Sequence, residues 1–179
     1  MRKVTIVRQH TRSGRVVRSH SRKLQSAILD VKKKYKIKTP IEAEIIDESK
    51  GSSLGHTDSV LDSKTKKPVK HIVRLESSKI KKEGENIDSI IHHELGHIVD
   101  KEKGDMVKKP KGKAVIAAIK KTEAYKKIKG DKYAAKPAEM FARAYAQDRS
   151  GKTSKKEVQS GLAWERKDFK SVKAKMKNV

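Results

Sequence analysis

No cysteine occurs in the chain, which excludes a disulfide framework and every thiolate metal site. Any metal it holds must be held by His, Asp or Glu. Aromatic residues are scarce, with one Trp, two Phe and four Tyr, and only 34% of the 179 residues are hydrophobic. A core can be built from part of such a chain, but not from all of it. Long apolar runs are missing too, so no membrane span and no membrane partner are expected. Nor is a signal peptide expected: Met1-Arg2-Lys3 suits its basic start, but Arg8, Arg12 and Arg15 arrive too soon. The expected location is the cytoplasm, or a virion packaged from it.

Acidic residues are in deficit as well, with 22 Asp and Glu against 46 Lys and Arg, a net charge of +24. The imbalance is uneven. Residues 1–38 carry thirteen basic side chains and only Asp30, a net of +12, whereas residues 39–151 have a net of +6. Residues 152–179 carry another +6. This divides the chain into a basic arm at 1–22, a central domain at 23–151 and a basic, helical extension at 152–179.

Within the arm, Val7-Arg8-Gln9-His10-Thr11-Arg12 returns ten residues later as Val17-Arg18-Ser19-His20-Ser21-Arg22. Ser13-Gly14 between them is a turn signal, so a basic β-hairpin is predicted. Arg8, Arg12, Arg18 and Arg22 are its candidate contacts to nucleic acid or an acidic protein.

Helical spacing of Leu24, Ala27, Ile28 and Val31 predicts a helix over 22–35. Strands are predicted at 41–47 and 71–76, with loops at 50–53 and beyond, and at 77–85. Apolar positions Ile87, Ile90, Ile91, Leu95, Ile98 and Val99 predict a helix over 87–103, capped by Asn86 and stopped by Gly104. Further helices are expected at 113–129 and, opened by Pro137, at 137–148. Ser154-Lys155-Lys156-Glu157 has the form of a capping box. Val158, Leu162, Phe169, Val172 and Met176 beyond it suit an amphipathic stripe, interrupted at Gly161 and Glu165. The fold class is α+β, with a small twisted mixed sheet packed on the 87–103 helix.

That helix carries His93-Glu94-Leu95-Gly96-His97, an HExxH sequence. Residues four apart lie about 40° apart around a helix, so both imidazoles point the same way. Each can give a nitrogen to one tetrahedral Zn²⁺ per chain. Glu94, one step round, can serve a water as general base while zinc lowers that water's pKa toward ~7. His92 points about 100° away from His93 and is left structural or solvated. No histidine follows His97, so the third ligand must be a carboxylate. Candidates are Glu102, Asp105, Glu123, Asp131, Glu139 and Asp148. Glu139 is favoured, because it opens a second helix whose apolar face can pack on the first.

The stretch His93 to Asp100, with Lys132-Tyr133-Ala134-Ala135-Lys136-Pro137-Ala138-Glu139-Met140-Phe141-Ala142-Arg143-Ala144-Tyr145, resembles the lethal-factor-like zincins. These include the Pro-Pro endopeptidases and proteins of phages and mobile elements. The likeness covers about residues 70–150. It implies a minimal zincin fold, Glu139 as third ligand on a second helix, and Tyr133 as the oxyanion-stabilising tyrosine, with Tyr125 in reserve. It also implies Asp100 as partner to a ligand histidine. The expected function is zinc metalloendopeptidase, acting on a protein or peptide laid along the 71–76 strand. The alternatives are a nucleic-acid-binding or virion-assembly protein with a structural zincin domain, and a protease controlled by an acidic partner on its arms.

Overall fold

The computed structural model describes residues 6–8, 14–46, 53–151, 164 and 166–179, with the side chains of 6–8, 14–20 and 166–167 excepted. Over these residues the chain is α+β. Strands β1 (Ile6–Arg8), β2 (Ile41–Ile46), β3 (Gly55–Leu61) and β4 (Pro68–Glu76) form one sheet in the order β1-β2-β4-β3. β1, β2 and β4 run parallel, and β3 closes the sheet antiparallel to β4.

Alternation decides which side of the sheet is covered. Ile41, Ala43 and Ile45 of β2 and His71, Val73 and Leu75 of β4 point to one face and are buried. Helices α1 (Gly14–Tyr35) and α3 (Ile87–Glu102) cover that face, with α2 (Ser77–Glu83) beside β2. The opposite face is polar and tied by cross-strand ion pairs. Lys70 reaches Glu42 at 3.1 Å and Arg74 reaches Glu44 at 2.6 Å, while Arg74 also pairs with Asp58.

α1 buries Leu24, Ala27, Ile28, Val31 and Tyr35, the periodic positions of its sequence. It starts well before residue 22. Residues 15–22, expected in the second arm of a hairpin, are instead in the first turns of this helix. Topology supplies the reason: β1 lies parallel to β2, and parallel neighbours need a crossover, which α1 provides. Of the expected Ser13-Gly14 turn, Gly14 is the first residue of this helix and Ser13 lies outside the described residues.

Two other segments expected as loops are ordered elements. β3 has no apolar alternation of its own and gains its strand form by pairing with β4. α2 is short and is anchored by one buried apolar side chain, Ile80. The helix predicted over 113–129 is two, α4 (Pro110–Lys120) and α5 (Glu123–Ile128). Thr122 makes the break. Its hydroxyl accepts from the Tyr125 N–H at 3.2 Å, donates to the Ile119 carbonyl at 2.7 Å and accepts from the Trp164 indole at 3.2 Å.

α6 (Pro137–Ser150) buries Met140, Phe141, Ala144 and Tyr145 and crosses α3. α7 (Arg166–Met176) lies on α4 and α6 and buries Phe169, Val172 and Met176, with Trp164 stacked on Phe169 at 5.6 Å. Those residues belong to the main core, so this part of the expected extension completes the fold. The Ser154-to-Glu157 box, Val158, Gly161, Leu162 and Glu165 lie outside the described residues. Among the described residues, no helix is long and apolar enough to cross a membrane.

One buried polar chain ties the sheet to α3. His71 is fully buried, with Nε2 2.9 Å from Glu102 and Nδ1 2.8 Å from the Ser59 hydroxyl. The carboxylate must accept, so Nε2 carries the proton and Ser59 donates to Nδ1. Burial holds the His71 pKa below the usual imidazole value, with Glu102 opposing. A histidine with a depressed folded pKa stabilises fully above its unfolded value of about 6.5 and loses that stability as pH falls below it. Urea midpoints should therefore fall between pH 7 and pH 5, and His71→Gln should flatten the fall. His71→Leu, which strands Ser59 and Glu102, should cost about 1–3 kcal/mol at neutral pH. Equal pH slopes for wild type and His71→Gln would sink this assignment.

Candidate metal centre

α3 starts where its sequence says it should. Asn86 accepts from the N–H groups of Asp88 at 3.0 Å and Ser89 at 3.2 Å, satisfying donors that the first turn leaves free. From this fixed start, Leu95, Ile98 and Val99 face the core while His93 and His97 open onto a cleft. The two Nε2 atoms are 3.3 Å apart.

Glu139 arrives from the first turn of α6. Its carboxylate oxygens lie 3.4 Å from His93 Nε2 and 3.5 Å from His97 Nε2. Metal bonds of about 2.0–2.1 Å in a tetrahedron imply donor separations of about 3.3–3.4 Å. The three atoms thus form a triangle of the size that one small cation demands. Among the described residues, His93, His97 and Glu139 are the group able to hold a metal ion.

Helix contact creates this triangle. A Cβ at Gly96 would stand 2.8 Å from the Ala142 Cα, on the backbone of α6. Only glycine at 96 lets the helices approach this closely, and Glu139 lies one turn before Ala142.

Electrostatics agree with the geometry. Burial alone would raise the Glu139 carboxyl, but the hydrogen bond from His93 and the charges of His97 and His93 hold it at about 2. Burial pushes His97 down to about 4, and the charge of His93 adds to this. Glu139 is thus an anion and His97 a neutral donor at pH 7, the forms that ligate metal.

Glu94 sits beside the triangle and outside it. Its side chain is buried against β3, where the Thr57 hydroxyl donates to Oε2 at 2.7 Å. Gly55 makes room, since a Cβ there would lie 2.8 Å from Glu94 Oε1. Burial raises the Glu94 pKa, opposed by the charge of His93 and the bond from Thr57. Neither Thr57 nor Gly55 is marked by the sequence, because both lie in a polar stretch whose strand character comes only from β4.

Tyr133 comes from a turn before α6. Asp131 shapes that turn by accepting from the N–H groups of Tyr133 at 2.8 Å and Ala134 at 2.9 Å. The side chain lines the cleft and is 59% exposed. Its pKa rises to about 12, through burial first and then the carboxylates of Glu139 and Glu94. Tyr125 packs against the core instead and does not line the cleft.

The other candidate carboxylates have separate duties. Glu102 holds His71, Asp105 bridges Lys101 and Lys108 at 2.7 Å each, and Glu123 pairs with Lys126 at 2.6 Å. Asp131 shapes its turn, and Asp148 lies near Arg149 and Lys173. Asp100, expected beside a ligand histidine, accepts from the Val107 N–H at 2.9 Å and so holds the turn at Met106–Lys108. It lines the cleft on the ligand face of α3, one turn after His97. His92 packs against Tyr145 with ring centroids 6.4 Å apart, and burial keeps its pKa low, a structural role.

The cleft holds about 770 Å³ and is walled by β3, α3 and the first turns of α6, including Arg143. β4 does not border it as a free strand. It is paired on both sides, by β2 and β3, so the expected peptide track along 71–76 is closed, and among the described residues the sheet edge beside the cleft is that of β3. Arg22 is exposed on α1, while Arg8 lies in β1 and Arg18 in α1, and Arg12 lies outside the described residues.

Comparison with protein-family models, with curated proteins and with solved structures finds no match to this chain.

Gly96→Ala should keep the fold, since alanine favours helix, yet force α3 and α6 apart. Metal affinity, read by competition with a chromophoric chelator, should drop about 10–100-fold. Unchanged affinity would show that this contact does not set the triangle.

Proposed function

We propose that the chain is a zinc-dependent metalloendopeptidase of zincin type. The observation that carries this reading is the donor triangle of His93, His97 and Glu139 with Glu94 buried beside it. Two imidazoles and one carboxylate at tetrahedral spacing suit Zn²⁺, and the absence of thiols fits a nitrogen–oxygen site. The same donor types also serve non-haem iron, but a second, non-ligating carboxylate next to the donors suits hydrolysis. Zinc in such a site supplies Lewis acidity, polarising a carbonyl and acidifying water toward pKa ~7.

The remaining roles fall to the chain's own side chains. Glu94 accepts the proton of the attacking water on its carboxylate and returns it to the leaving amine. Burial keeps its pKa above that of a free carboxyl, which brings it closer to the operating pH. Thr57 fixes Oε2 and leaves Oε1 for the transferred proton. Tyr133, protonated across the neutral range, donates its hydroxyl to the developing oxyanion. An extended peptide adds to the edge of β3 beside the cleft, which carries its backbone past Glu94.

Purified protein should contain about one zinc per chain, and its cleavage-site profile on a peptide library should vanish on chelation. Glu94→Gln should retain the metal and lose about 10²–10⁴-fold in kcat. Tyr133→Phe should lower kcat about 10²–10³-fold with little change in KM, while Tyr125→Phe should leave both unchanged. Zinc-loaded protein that cleaves nothing in the library, or cleavage that survives Glu94→Gln, would refute the reading.

A further inference from the structure

Next to the metal cleft lies a second groove of about 710 Å³, with Asp100, Lys101 and Ala138 bordering both. Its floor is aliphatic, made by Val107, Ile116, Ala117 and Pro137. Its rim is cationic. Lys101 ends α3, Lys108 belongs to the single turn at Met106–Lys108, Lys113 and Lys120 stand on α4, and Lys136 caps α6. Five lysines from four elements thus converge on one apolar strip.

The groove's own carboxylates are already committed. Asp105 takes Lys101 and Lys108, and Asp100 takes the Val107 N–H. Lys113 and Lys120 are exposed and have no ion pair among the described residues. They stand seven residues apart on α4, about 10 Å along its axis, with Ile116 and Ala117 between them on the same face. In a polyproline-II chain, which has about three residues per turn, residues three apart lie on one side and span about 9 Å. Lys136 joins the two sites, with its Nζ 5.2 Å from the centre of the Tyr133 ring.

From this placement we infer that the groove seats an acidic segment of the substrate polypeptide. The segment carries two Asp or Glu residues three positions apart around small apolar side chains, and it lies beyond the scissile bond. The assignment rests on the peptidase reading, since it takes the adjoining cleft as the place of cleavage. Charge complementarity selects an anion, and the floor selects which kind. Aliphatic side chains favour an apolar peptide segment, whereas single-stranded nucleic acid stacks its bases on aromatic rings, and this floor has none. The elongated lysine stems cover the apolar flanks while their ammonium groups stay in water.

The test uses the full-length Glu94→Gln protein loaded with zinc. Fluorescence anisotropy compares a short peptide containing Glu-Ala-Val-Glu with its Gln-Ala-Val-Gln counterpart, at low and physiological salt. The acidic peptide should bind about tenfold more tightly, and the advantage should disappear in the Lys113→Glu/Lys120→Glu variant. In wild type, cleaved bonds should be enriched in Asp and Glu on one side, and the double variant should lose that enrichment. Equal binding of the two peptides, or a preference that survives charge reversal, overturns the inference. So does displacement of the acidic peptide, at equal concentration, by a DNA oligomer of matching charge. Cleavage without acidic enrichment removes the groove from substrate selection and leaves the peptidase reading intact. Selective binding with no cleavage of any peptide by wild type removes the peptidase reading and leaves the acidic-segment site standing.

Discussion

Gly96 meets Ala142 where α3 crosses α6, and no side chain separates the two backbones there. The triangle of candidate metal donors depends on that contact. His93 and His97 are placed by the helix that contains them, but Glu139 reaches them only because α6 lies this close. The surrounding core keeps it so: Leu95, Ile98 and Val99 on α3 share one cluster with Met140, Phe141, Ala144 and Tyr145 on α6. The energy that holds the donors together is therefore apolar burial, delivered through two rigid helices.

The centre also separates two carboxylates that have the same chemistry in water. Glu139 faces imidazoles and is held as an anion, whereas Glu94 faces β3 and a protein interior that resists its charge. Environment alone suits one to ligation and, on the proposed function, the other to proton transfer. The separation is maintained from both sides, by Thr57 and Gly55 on β3 and by the α6 turn that carries Glu139. β3 thus serves as a cleft wall and, among the described residues, as one edge of the sheet.

Periodicity read the buried elements well. α1, β2, β4, α3 and α6 each carry enough apolar residues at the right spacing to declare themselves. Phe169, Val172 and Met176 likewise proved to be a helical stripe. Failures fell on elements with little apolar content. β3 takes its form from β4, α2 from one buried isoleucine, and the break between α4 and α5 from a Thr122 hydroxyl shared with Trp164. The hairpin at the N-terminus failed for a different reason: local alternation was outweighed by a parallel pairing between β1 and β2 that requires a helix between them.

By itself, the sequence determined the donor chemistry. Without cysteine the donors had to be nitrogen or oxygen, with no histidine after His97 a downstream third ligand had to be a carboxylate, and helix phase put both imidazoles of the HExxH pair on one side. Which carboxylate completes the set was decided by the tertiary structure, because six candidates differ in chemistry hardly at all and in position completely. The same holds for Thr57, Gly55 and the lysine-rimmed groove. Their roles come from elements distant in sequence meeting at one cleft, and side-chain pattern along a single segment carries no record of such a meeting.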